Sequence, residues 1–424
     1  MAQIVDGLKG AFKVSELRTK LLFTLFMIFV FRVGTHIPVP GVDVEKFRDL
    51  IAGGMLFGFF DVISGGAFKS FSVFAMSIVP YINASIIMQL LTVVIPHLEK
   101  LAKEGEEGRK KITQYTRYFT VVLALLQAIG MSAVMGRSGI IHNPGFVSYA
   151  IIAITLTAGT ALLMWIGEQI TEHGIGNGIS LLIFAGIVSR LPAGLQNLYM
   201  QLEAGTVNIL SILILAVIGA LVIAAVVAVQ EGQRRIPVQY AKRVVGRRVY
   251  GGQSTHLPLK VNQAGVIPVI FASSLLMFPS QIAQWFQGSA FADFYTRYFG
   301  WGTAAHAVIY ALLIIGFTYF YTAVIMNPVD VADNIKKYGG FIPGIRPGRP
   351  TAEYISRVMS RVTLAGAVFL ALIAILPNFV LLATRIPNIY FGGTALLIVV
   401  GVALDTMKQI ESHLLMRSYQ GFIK

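Results

Sequence analysis

Long apolar runs, separated by short polar connectors, make up most of this chain. Stretches free of Asp, Glu, Lys and Arg cover residues 70–98, 118–136, 138–167, 204–230, 261–292, 298–329, 362–384 and 386–404. A hydrocarbon core about 30 Å thick takes roughly 20 residues of helix, so each of these runs is long enough to cross. Two weaker stretches complete the set: 21–37, with Arg32 near its end, and 174–189, which is short but bounded by Glu172 and Arg190. The pattern predicts an all-α polytopic membrane protein with ten transmembrane helices. The first span is not a cleavable signal peptide, because the Pro-rich Ile37-Pro38-Val39-Pro40 stands where small cleavage-site residues are expected. A further apolar segment, 55–64, is too short to cross and lies between Gly53-Gly54 and Gly65-Gly66, which predicts a re-entrant or mobile piece.

Composition agrees with this reading: 55% of residues are hydrophobic and only 13% charged, about half the roughly 25% of an ordinary soluble domain. A soluble enzyme and a disordered chain are both excluded. With no cysteine there is no disulfide framework and no thiolate chemistry. The net charge of +14 does not point to nucleic acid, because Lys and Arg are gathered in a few connectors. Of the 34 basic residues, 26 fall on one side if connectors alternate, which sets both termini in the cytoplasm by the positive-inside rule. The resulting organisation is an N-terminal cytoplasmic segment 1–20, a first half 21–190, an external hinge loop 191–206, a second half 207–404 with cytoplasmic loops 231–262 and 328–361, and a cytoplasmic tail 405–424. Five spans reverse the direction of the chain, so the second half runs inverted relative to the first. Such halves place a pathway at their interface near the bilayer midplane.

Several chemistries are missing. An ion-coupled transporter keeps ionisable residues inside the membrane, yet Arg32 and Asp405 lie at span ends and His97, His142 and His306 near boundaries. This weighs against a small-solute secondary transporter, the alternative reading. No Gly-x-x-x-x-Gly-Lys-Ser/Thr loop is present, and Gly174-Ile175-Gly176-Asn177-Gly178 lacks the strand-helix-strand unit of a phosphate loop. Gly136-Arg137-Ser138-Gly139 with His142 imitates a serine nucleophile, but both residues fall in one external connector, where a solvated turn is expected. No catalytic residue, metal site or cofactor is implied.

The polar connectors are more informative. Residues 231–263 and 328–361 far exceed the 2 to 8 residues or so that helix connections need. They carry Arg234-Arg235, Lys242-Arg243, Arg247-Arg248, Lys336-Lys337 and Gly344-Ile345-Arg346-Pro347-Gly348. Paired arginines on projecting hairpins suit phosphate or carboxylate partners, since guanidinium forks bind both bidentately. Ile82 and Ile86, and likewise Ile183 and Ile187, stand four apart, which puts each pair on one helix face. Spacing alone says core or lipid packing there.

The runs Pro80-Tyr81-Ile82-Asn83-Ala84-Ser85-Ile86, Gln114-Tyr115-Thr116-Arg117-Tyr118, the 174–180 glycine run, Gln233-Arg234-Arg235-Ile236-Pro237, Ser254 to Asn262, Gly344 to Gly348 and Tyr390-Phe391-Gly392-Gly393-Thr394 resemble the SecY family, the channel subunits of the bacterial Sec protein translocase. The resemblance extends from the N-terminal segment to the tail, with Asn83 standing where many members have Ser. It implies a ten-helix clamshell that conducts unfolded secretory polypeptides across the bacterial cytoplasmic membrane and releases transmembrane segments sideways into lipid. By motif position it implies a pore ring at Ile82, Ile86, Ile183, Ile187, Ile270 and Ile398, and a plug including Phe57, Phe59, Phe60, Asp61, Val62 and Ile63. A lateral gate follows near Gln89, Gln127, Ser273 and Ser274. Docking of the SecA ATPase or a ribosome is implied at Arg243, Arg247, Arg248 and Arg346. The implied partners are SecE, SecG, SecA, the ribosome, signal peptides with unfolded preproteins, and membrane lipids.

Overall fold

Helices occupy the positions of all ten expected spans. The computed structural model describes residues 14–51, 61, 64–240, 243–245, 248–250, 254–286, 288–300, 303–384 and 393–421. The first half contains α1 (Ser15–Gly34), α2 (Val44–Ile51), α3 (Val79–Val94), α4 (Pro96–Lys103), α5 (Glu106–Arg137), α6 (Phe146–His173) and α7 (Gly178–Glu203). The second contains α8 (Ile209–Glu231), strands β1 (Gln233–Tyr240), β2 (Arg243–Val245), β3 (Arg248–Tyr250) and β4 (Ser254–Lys260), then α9 (Ile267–Trp285), α10 (Ala290–Phe299), α11 (Ala304–Ile325), α12 (Pro328–Lys337), β5 (Gly340–Phe341), α13 (Arg349–Thr384) and α14 (Gly393–Gly421). Among the described residues, seven helices are long and apolar enough to cross a membrane, or eight if α3 and α4 form one span bent by 99°. The bend has a local cause: Ile95 is extended and Pro96, which has no N–H to donate, opens a new helix. Side-chain caps start several spans, with Asn177 accepting from the amides of Ile179 and Ser180, and Thr303 from that of His306.

Two expectations need correction. The charge-free run 70–98 is helical only from Val79, where Pro80 enters the first turn. Before it, residues 64–78 fold as buried turns, with Phe71 at φ 40° and Ser77 at φ 55°. Phe47 of α2 packs on Phe68 and Phe71 with ring centroids 5.5 and 4.8 Å apart, and the Val39 amide donates to the Phe71 carbonyl at 3.0 Å. Absence of charge registers burial equally well in a helix or a turn. The expected hinge loop 191–206 is also mostly helix, since α7 continues through Pro192 to Glu203. Counting to the first charge stops at Arg190, whose charge is in fact paired with Asp61. Beside the helices, the connectors of the second half add short strands: β4-β1-β5 form an antiparallel sheet and β2 pairs with β3.

Small residues let the backbones approach closely. A Cβ on Gly159 of α6 would overlap the Val73 carbonyl, and one on Gly178 would overlap the carbonyl of Gly167. The halves meet along two principal seams: α9 packs against α3 and α5, and α14 packs against α7. One apolar cluster runs through both halves, including Ile82, Leu163, Ile187, Ile270, Phe317 and Leu397. The two connectors of the second half share a separate small core of Ile236, Val238, Leu259, Ile335, Ile342 and Ile355. Alternation in β1 buries Ile236 and Val238 and leaves Arg234, Arg235, Pro237 and Gln239 exposed, as a half-buried strand requires.

Candidate functional site: an apolar waist between two halves

The six isoleucines belong to one buried apolar cluster. Ile82 and Ile86 come from α3, Ile183 and Ile187 from α7, Ile270 from α9 and Ile398 from α14, so each half supplies two helices. All are buried, from 1% exposed at Ile187 to 7% at Ile270, and all belong to the same apolar cluster. The face shared by i and i+4 therefore points inward on both α3 and α7. In these positions the side chains are aliphatic and carry no hydrogen-bonding group.

The residues expected at the gate lie on α3, α5 and α9, helices that meet along one seam. Gln127 and Ser273 are buried, and Ser274 beside them is buried too. The Ser273 hydroxyl donates to the Ile270 carbonyl of its own helix at 2.8 Å, not across the seam. Gln89 Oε1 and Gln127 Nε2, with Asn83 Nδ2 nearby on α3, have no hydrogen-bond partner among the described residues. An unpaired buried polar group costs about 1–3 kcal/mol, so polar bonding holds this seam weakly. Gln127 also lines a cavity of about 50 Å³ together with Met131, Gln281, Gln284 and Trp285, between α5 and α9.

Of the expected plug residues only Asp61 is described; Phe57, Phe59, Phe60, Val62 and Ile63 lie outside the described residues. Asp61 is buried and ion-paired with Arg190 of α7. Its Oδ1 accepts from the Lys69 amide at 2.8 Å, and its carbonyl accepts from the Gly66 amide at 2.9 Å. Arg32 of α1 reaches the same turn, donating to the Gly65 carbonyl at 2.7 Å and to the Ser189 hydroxyl at 3.0 Å. Gly65 has φ +66°, and a Cβ there would come within 2.9 Å of the Gly186 Cα. Arg32 and Arg190 were not expected as site residues; counting them only as charges on the outer side hid their role. The available signal was an acidic residue inside an apolar segment, which demands a basic partner.

The arginines expected to dock a partner are partly described. Arg346 is exposed in a turn held by Gly344 at φ +80° and Gly348 at φ +99°, and its carbonyl accepts from the Thr351 hydroxyl at 2.9 Å. In the β2–β3 hairpin, Arg243 pairs opposite Tyr250 and Arg248 opposite Val245. Arg247 lies outside the described residues. The serine that imitated a nucleophile, Ser138, donates to the Val134 carbonyl at 3.0 Å at the end of α5, as a helix-end turn does.

Long apolar helices in two halves that share one buried, isoleucine-bearing cluster define a polytopic membrane protein. The chain belongs to the SecY family: the family model for SecY matches residues 72–407. A relative from Halalkalibacterium halodurans, named protein translocase subunit SecY, is 53% identical over 98% of this chain and 99% of its own length. Relatives of the same name from Streptomyces coelicolor and Escherichia coli K12 are 51% and 49% identical, the first over 98% of each chain and the second over 97% of this chain and 95% of its own. The fold is shared with a solved protein-conducting channel, with a TM-score of 0.67 and 19% identity over 93% of this chain and 92% of that one. It is also shared with Sec61 in a canine ribosome-channel complex, with a TM-score of 0.63, 19% identity and the same coverage of both chains.

Proposed function

We infer that the chain is a multi-pass protein-conducting channel of the bacterial cytoplasmic membrane, through which unfolded polypeptides pass at the isoleucine waist. The observation that carries this reading is the burial of Ile82, Ile86, Ile183, Ile187, Ile270 and Ile398 in one cluster drawn from both halves. A narrow apolar ring dewets and resists ions, yet it fits around varied side chains without retaining any of them. A small-solute transporter fits poorly, because such a site needs polar groups that recognise its substrate. The family is one of channels, and no catalytic step is assigned to the chain.

In this reading the segment 55–64 plugs the waist, and α9 parts from α3 and α5 to admit a signal peptide or release a transmembrane segment sideways. Burying an apolar helix in lipid drives that release. Both termini and the two long connectors face the cytoplasm, consistent with the excess of Lys and Arg there. Work must come from a partner, SecA or a translating ribosome, docking at Arg243, Arg247, Arg248 and Arg346. SecE and SecG complete the complex. The solved relative bound to a canine ribosome supports the ribosomal partner.

Crosslinking a stalled preprotein in reconstituted vesicles is the test. Photoreactive groups at Ile86 and Ile187 should label the preprotein, whereas one at the lipid-exposed Leu213 of α8 should not. Label at Leu213 with none at the isoleucines would move the pathway elsewhere.

A further inference from the structure

The glycine run that imitates a phosphate loop has a structural role at the second seam. Residues 174–178 join α6 to α7, and four of their amides are bonded. Gly174 donates to the Ile170 carbonyl at 2.8 Å. Ile175 donates to Thr24 Oγ1 of α1 at 3.1 Å, Gly176 to Gln409 Oε1 of α14 at 2.9 Å, and Gly178 to Thr171 Oγ1 of α6 at 2.9 Å. The Thr24 hydroxyl accepts here because its proton goes to the Lys20 carbonyl at 2.9 Å.

Each glycine has its own reason. A Cβ on Gly174 would press on Thr24 Oγ1, Gly176 has φ +87°, and Gly178 lies against the Gly167 carbonyl. Ile175 is buried against Leu17 and Ile410, with Val14, Leu21 and Leu414 around them. The loop thus ties α1, α6 and α7 of the first half to α14 of the second. At the other seam, Gln89 Oε1 and Gln127 Nε2 have no hydrogen-bond partner among the described residues. The two joints are unequal: one is hydrogen-bonded and filled at its contact point, while the other holds orphaned polar atoms and a cavity.

We propose that residues 174–178, held to Gln409 and Ile410, are the fixed pivot about which the two halves part at the α3/α9 seam. Gln409 and Thr24 are then positioning residues for channel opening, separate from the 191–206 connection between the halves. The proposal rests on the channel reading above and specifies which contacts persist while the channel conducts.

The absence of native cysteine makes the test direct. Two variants of the channel complex are prepared in vesicles with its motor, Ile175→Cys with Ile410→Cys at the pivot and Met131→Cys with Gln281→Cys, across the cavity between α5 and α9, at the gate. Each is assayed for preprotein translocation before and after oxidation or a short thiol crosslinker. Before crosslinking, both should translocate; failure of both together with the parent protein would count against the channel reading, not the pivot. After crosslinking, the pivot pair should keep most of its activity and the gate pair should lose it by tenfold or more. Loss at the pivot equal to that at the gate overturns the proposal, as does a pivot pair that cannot be joined. As a second arm, Gln409→Glu retains the acceptor for the Gly176 amide and should translocate as the parent does, while Gln409→Leu should slow it. Equal rates for the two would remove Gln409 from the pivot.

Discussion

Arg190 on α7 is ion-paired with Asp61, and Arg32 on α1 grips the Gly65 carbonyl of the same turn. Both arginines belong to the first half, so Asp61 and Gly65 are fastened to that half through them. Removing one member of a buried pair leaves an uncompensated charge, at a cost of about 3–5 kcal/mol. The Arg190 side chain is 29% exposed, which moves the cost toward the lower end. Asp61→Asn should therefore loosen the turn and raise ion flux through idle channels in vesicles. Asp61→Arg combined with Arg190→Asp should bring the flux back toward the parent value. Parent-like flux in Asp61→Asn and in Arg190→Ala would show that the pair has no part in the seal.

The waist makes a separate prediction. Replacing Ile86 and Ile187 by Ser places hydroxyls where the ring is now aliphatic, which favours water in the constriction. Idle ion conductance should rise about tenfold or more, equivalent to about 1.4 kcal/mol in the closed-to-conducting equilibrium. Preproteins should still cross. Single-channel recording without a preprotein measures this, and unaltered conductance would place the seal elsewhere.

At the proposed gate, Gln127→Leu removes an amide whose Nε2 has no partner among the described residues. The closed seam should gain up to about 1–3 kcal/mol, the cost of an unsatisfied buried group. Preproteins with weakly apolar signal sequences should then be exported less, and strongly apolar ones nearly as before. Equal export of both classes by the variant and the parent would contradict the assignment.

Packing gives a stability prediction. Gly159 faces the Val73 carbonyl with no room for a side chain, so Gly159→Val should cost roughly 1–3 kcal/mol from overpacking. A lower thermal midpoint in detergent is expected. Gly316 on α11 meets nothing within 4 Å of a built Cβ, and Gly316→Ala should leave the midpoint almost unchanged.

The positions of the spans were legible in the sequence because an unpaired charge in lipid is costly, so charge-free runs mark helices such as α8 and α11 closely. The same logic misplaced the ends of α3 and α7. Residues 70–78 are uncharged because they are buried as turns, and Arg190 ends a run although its charge is neutralised by Asp61. The isoleucine pairs could be assigned to one face by spacing, but their meeting on a common cluster depends on four separate helices. Motif resemblance supplied that expectation; periodicity did not. The partnership of Gly176 with Gln409 left no local trace, since it joins residues far apart in the chain.

The sheet formed by β4, β1 and β5 has a mechanical meaning. Its strands come from both connectors of the second half, and the Val261 amide closes its base on the Gly232 carbonyl at 2.9 Å. The Val261 carbonyl also sits against Gly366 of α13, and α9 begins at Ile267, shortly past the end of β4. Torque applied to this lobe from outside the membrane has little slack to absorb it before reaching α9. A ligand of the lobe can thus act as a hand on a lever arm whose short end is the helix bordering the seam.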